Sequence, residues 1–148
     1  MERKIAVLGM LAVLVSGPAD AQSLKVKQDQ KRITAALEDA LAITNEACGT
    51  SIVQEMDWAA FPAEDFETNY SINGYCQAPI DALYGLCTST YDDAELNKQI
   101  ITEKISKIVC SRGDERNATL DAGVLTYTIQ YDAADNDAFI RQFLYDNL

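Results

Sequence analysis

Hydrophobic and polar positions alternate most regularly near the end of the chain. Leu125, Tyr127, Ile129 and Tyr131 interleave with Val124, Thr126, Thr128 and Gln130. A period of two puts one set on a core and the other toward water, so this segment predicts a half-buried strand. The stretch from about Lys104 to Ser111 also predicts a strand, with Ile105 and Val109 on one side and Ile108 and Cys110 on the other. The two are expected to pair as an antiparallel hairpin across the polar connection 113–121. A third strand is predicted within 51–58, where Ile52, Met56 and Trp58 alternate with Val53, Glu55 and Asp57.

Elsewhere the apolar spacing changes to three and four, the stripe of an amphipathic helix. Ile33, Ala36, Leu37, Ala40, Leu41, Thr44 and Cys48 form one such stripe, and Gly49 supplies a left-handed stop. A short helix is predicted behind Pro62, and another begins at Pro79 with Ile80, Leu83 and Cys87 turned inward, after a turn at Asn73 and Gly74. A helix from Ala94 to about Glu103 follows an Asp92 or Asp93 cap, and a terminal helix capped by Asp135 or Asn136 buries Phe139, Ile140, Phe143 and Leu144. The expected class is α+β: a small antiparallel sheet packed with an N-terminal amphipathic helix and a C-terminal helix.

The first residues change the reading of compartment. Arg3 and Lys4 precede the apolar run Ile5 to Val15, and Pro18 and the small residues Ala19 and Ala21 follow. These are the parts of a cleaved export signal, expected to cover residues 1–21. The run is too short to span a bilayer, which needs about 20 apolar residues. Residues 22–148 then make one globular domain, periplasmic or secreted and not membrane-spanning. Its cysteines, Cys48, Cys76, Cys87 and Cys110, predict two disulfides. If the Pro79 helix is real, Cys76 and Cys87 lie too far apart along it to bond, and of the two remaining connectivities Cys48 with Cys76 and Cys87 with Cys110 is preferred.

The formal charge is −11, and its distribution is uneven. Between Ile33 and Asn97 there is no Lys or Arg, against Glu38, Asp39, Glu46, Glu55, Asp57, Glu64, Asp65, Glu67, Asp81, Asp92, Asp93 and Glu95. Such a span repels nucleic acid, whose binding requires cationic contacts, and favours a basic partner.

The chain has no histidine, which removes the usual nucleophile–base pairs and histidine-ligated metals. No phosphate-binding or dinucleotide motif is present, so no cofactor is expected. The acidic run from Asp132 to Asp137 lacks the glycine and the twelfth-position Glu of a calcium loop, so no metal site is expected either. Asn69 and Asn117 begin the two glycosylation-type triplets. Glu55 with Asp57 is the best carboxylate pair for a glycosidase-like reaction, although a hydrophilic strand face explains both.

The resulting expectation is a non-catalytic exported protein of an inhibitor or immunity-like kind. Its acidic middle segment would dock a basic protein through Glu55, Asp57, Trp58, Phe61, Tyr70 and Tyr75. The alternatives are an accessory subunit of a larger envelope assembly and a carboxylate-based cell-wall hydrolase.

Overall fold

The computed structural model describes residues 23–68 and 71–148. The expected export signal and Tyr70 lie outside the described residues. Helix α1, Leu24–Cys48, starts where the Ser23 hydroxyl accepts a hydrogen bond from the Val26 N–H and buries Val26, Ile33, Leu37, Leu41, Thr44 and Cys48. It ends at Gly49, whose φ of 69° lets its N–H return to the Asn45 carbonyl. Asn45 then steers the chain into the first strand: its amide donates to the Ile52 carbonyl and its Oδ1 accepts from the Ile52 N–H.

Strand β1 (Val53–Met56) is followed by two 3-10 turns, Trp58–Ala60 and Ala63–Phe66. Helix α2 covers Ile72–Thr88 and α3 covers Ala94–Lys104. Strands β2 (Lys107–Arg112), β3 (Asn117–Asp121) and β4 (Val124–Ile129) follow, and α4 (Asn136–Asn147) closes the sequence of elements.

The class is α+β as expected, but the sheet is mixed. Its order is β1-β2-β4-β3, with β2 parallel to both β1 and β4 and only β3 and β4 antiparallel. The two clearest strands therefore do pair, in the opposite sense to the predicted hairpin. The polar connection contains β3, which takes the hairpin with β4 through Ala122 and Gly123 at positive φ. That leaves β2 to join the other side of β4 in parallel.

One face of the sheet carries Ile108, Cys110, Leu125, Tyr127 and Ile129, all with no exposed surface. Helix α1 lies against β1, α2 against β2 and β4, and α4 against β3. The other face presents Glu55, Lys107, Val109, Thr126 and Thr119.

Helix α2 starts earlier than its sequence suggests. The Ser71 hydroxyl accepts from the Gly74 N–H, which draws Asn73 and Gly74 into the first turn, and Pro79 stands inside the helix instead of leading it. Proline there forfeits a backbone hydrogen bond. Its ring is instead buried beside Ile80 and Leu83, both without exposed surface.

The longer helix also corrects the preferred disulfide pairing. Cys76 and Cys87 lie 11 residues apart on α2, roughly 16 Å, and reach different elements. Cys48 bonds Cys87 where α1 and α2 end together, and Cys76 bonds Cys110 in the middle of β2, with Cα separations of 5.2 and 5.6 Å. Thr44 beside the Ile80 carbonyl shows the same parallel alignment of α1 and α2.

Candidate functional site

The residues singled out in the sequence divide between two environments. Glu55 and Asp57 stand exposed at the β1 edge, and each is met by β2. The Lys107 ammonium lies 2.8 Å from Glu55 Oε2, and the Ser111 hydroxyl donates to Asp57 Oδ2 at 3.0 Å. Trp58 is half-buried, with its ring 5.7 Å from Phe61 and 6.0 Å from Phe66. Phe61 and Phe66 are themselves core residues. Of the aromatic docking residues expected from the sequence, Phe61 is buried, Trp58 packs on it, and Tyr70 lies outside the described residues.

Beside them sits a partly buried polar network. Asp65, 6% exposed, accepts a hydrogen bond from the Tyr131 hydroxyl at 2.9 Å and lies 3.0 Å from Arg112 Nε. The Arg112 guanidinium also stands 5.5 Å from the centre of the Tyr131 ring. Burial, then the hydrogen bond and charge of Asp65, hold the Tyr131 phenol far above its ordinary range, and Arg112 only partly offsets them. The phenol therefore keeps its proton at neutral pH and donates it to Asp65. Tyr75 belongs to this network as well: its hydroxyl donates to the Tyr131 carbonyl at 2.8 Å and its ring meets Tyr131 edge-on.

A second region opens where α2 and α4 run side by side. Two cavities lie end to end along their seam, about 590 and 330 Å³ in volume. Gly74 and Ala78 of α2 face Asp137 of α4 in the larger, and Ala82 and Gly85 face Tyr145 in the smaller. Arg141 lines both.

The start of α4 is fixed from below. Asn136 Oδ1 accepts from the Tyr127 hydroxyl at 2.9 Å, its amide donates to the Ala133 carbonyl, and Arg116 donates to the Ala134 carbonyl. Asp135 is held in the left-handed region, φ 54°, and its side chain caps nothing. Burial pushes the Tyr127 phenol up to about 12.

The far end of the seam is built by Ser89. Its hydroxyl accepts from the N–H groups of Tyr91 and Asp92 and donates to Asp92 Oδ2. The turn so fixed presents Tyr91, 99% exposed. Tyr145 donates to Asp92 Oδ2 at 2.7 Å, a bond that raises its pKa. Asp135, Asp137 and Arg141 make no side-chain hydrogen bond or ion pair among the described residues.

Of the described residues expected from the sequence to dock a partner, only Tyr75 touches this seam. Arg141, Asp137, Tyr91 and Tyr145 were not expected. Their one advance signal is Tyr91 itself, an aromatic in a polar turn with no apolar periodicity to bury it. No family model, curated protein or solved structure matches the chain.

Proposed function

We propose that the protein is an exported, non-catalytic binding protein whose acidic surface docks a basic protein partner. One observation carries this reading. Among the described residues, cations from outside the span 33–97 pair within it only with Glu55, Asp65 and Glu95. Glu38, Asp39, Glu46, Glu64, Glu67, Asp81 and Asp93 have no cationic partner among the described residues, so the surface keeps a negative field that steers a basic protein toward it.

Export is supported by the basic, apolar and small-residue order of the first 21 positions and by two disulfides, which suit an oxidising compartment. Among the described residues no helix is long and apolar enough to cross a membrane. Glu55 and Asp57, the best carboxylate pair for hydrolysis, are each engaged by a β2 side chain, which favours a structural role for both.

The test is capture on the immobilised oxidised protein at low and high salt, followed by reconstitution of the captured protein from pure components. A single basic protein that binds stoichiometrically and dissociates as salt rises is the expected result. A salt-resistant assembly would favour the accessory-subunit reading. That reading draws support from β1, an edge strand whose Val53 is 53% exposed. Retention of no protein at either salt would remove both.

A further inference from the structure

The fold engages every described asparagine side chain but one. The amides of Asn45, Asn97, Asn136 and Asn147 donate to backbone carbonyls, and Asn73 accepts from the Ser71 hydroxyl. Asn117 is exposed, and its side chain makes no hydrogen bond among the described residues. It begins the triplet Asn117-Ala118-Thr119, the acceptor pattern for N-linked glycosylation.

Such a triplet arises readily by chance, and the placement of this one is what gives it weight. It opens β3, an edge strand, and among the described residues no strand lies beyond it. Successive side chains of a strand point to opposite faces. Ala118 therefore turns into the core at 8% exposure, while Asn117 and Thr119 stand together on the other face, opposite Thr128 and Thr126. The Thr119 hydroxyl is exposed and makes no hydrogen bond among the described residues. Glu115, two positions before Asn117, is exposed as well. A carboxylate at that position is the further feature that bacterial oligosaccharyltransferases recognise.

We propose that Asn117 is an N-glycosylation site, recognised by an oligosaccharyltransferase through Glu115 and Thr119. Asn117 Nδ2 attacks the anomeric carbon of an oligosaccharide carried on a polyprenyl pyrophosphate. The C–N bond forms as the C–O bond to pyrophosphate breaks, the pyrophosphate leaves with the electron pair, and a base of the transferase takes one amide proton. The proposal rests on the export part of the reading above, because this transfer occurs on the exported side of the membrane. The glycan is bulky and hydrated, and at Asn117 it shields the β3 edge from pairing with another chain.

The acceptor is tested apart from export. The purified oxidised protein is incubated with a bacterial oligosaccharyltransferase and its polyprenyl-pyrophosphate-linked oligosaccharide, then read by intact mass and peptide mapping. The mass should rise by one oligosaccharide, carried on the peptide containing Asn117. Thr119→Val keeps the β-branched shape without the hydroxyl and should abolish the addition, whereas Thr119→Ser should retain it. Glu115→Gln should lower the yield at least threefold. All three positions are exposed, so circular dichroism should show each variant folded as the wild type.

No addition to the wild type overturns the site, as does an oligosaccharide that Asn117→Gln retains. Full yield from Thr119→Val or Glu115→Gln overturns the recognition assigned to that residue. Export fails separately, if the full chain expressed in a bacterium stays in the cytoplasm, and that result leaves the purified-component outcome standing.

Discussion

The Asp65 network and the α2–α4 seam hold the same kinds of side chain, Asp, Arg and Tyr, and each has a phenol donating to a carboxylate, but they differ in whether the arginine is paired. Around Asp65 the arginine sits on the carboxylate and the phenol donates to it, with the carboxylate itself buried. Along the seam Arg141, Asp135 and Asp137 stand apart, and the floor is glycine and alanine. Composition alone does not separate a structural cluster from an available one; what separates them is whether the charges are already satisfied. A charge that has its partner contributes to the fold, and one without a partner is free to meet another molecule.

The comparison can be broken most severely at the element both regions share. Replacing Cys76 and Cys110 together by alanine frees α2 from β2, and the 34-residue separation corresponds to about 3–4 kcal/mol of loop-closure stabilisation. Urea unfolding should show that loss as a lower midpoint, and the seam should lose its shape with it.

Asp65→Asn attacks the satisfied side alone. A fully buried pair broken at one partner costs about 3–5 kcal/mol. Arg112 keeps 31% of its side chain exposed, so the expected loss is nearer ~2 kcal/mol after solvent screening. A fall of less than ~0.5 kcal/mol, the usual range for surface changes, would show that the network is not structural.

Tyr127 sharpens the comparison by pH, since it anchors the start of α4 from inside the core. Its folded pKa of about 12 lies above the ordinary 10, so the folded state retains the proton that the unfolded state releases. This contribution is complete below pH ~10 and disappears as pH rises through ~12. Alkaline titration followed by circular dichroism should show the decline, and Tyr127→Phe should remove its tyrosine component while costing about 1 kcal/mol for the lost hydrogen bond to Asn136.

Smaller effects separate the surfaces. Gly85→Ala should stabilise the protein by up to ~1 kcal/mol, the helix-propensity difference, read as a higher Tm. Glu55→Gln removes an exposed ion pair and should change stability by less than ~1 kcal/mol. A larger loss would return the β1 edge to consideration as a site of strain or function.

How far the sequence reveals this molecule depends on the range of the interaction involved. Helix α1 is legible because seven apolar positions share one face and Gly49 ends it. Strand β4 is legible because alternation is local. Alternation assigns faces and says nothing of a partner's direction, so the parallel pairing of β2 with β4 is hidden. Strand β3 is hidden too, since on an edge it turns only Ala118 and Leu120 inward among polar residues.

The start of α2 is obscured by Asn73, Gly74 and Pro79. Their turn preference is outweighed by the Ser71 cap and the burial of Ile72 and Cys76, and the shortened helix then misdirects the disulfide pairing. The seam joins 71–92 to 135–145 with no motif in either. Tertiary packing alone creates it.

The mixed sheet also imposes an order on folding. The β3–β4 hairpin closes through two residues, and β2 reaches β4 across 17 positions, whereas Val53 must find Lys107 across 54. Loop closure makes the last pairing the slowest to be rewarded. Until β1 arrives, the open edge of β2 is a strand template for another copy of the chain. The newly made polypeptide is therefore most prone to aggregate in the interval before its shortest strand docks.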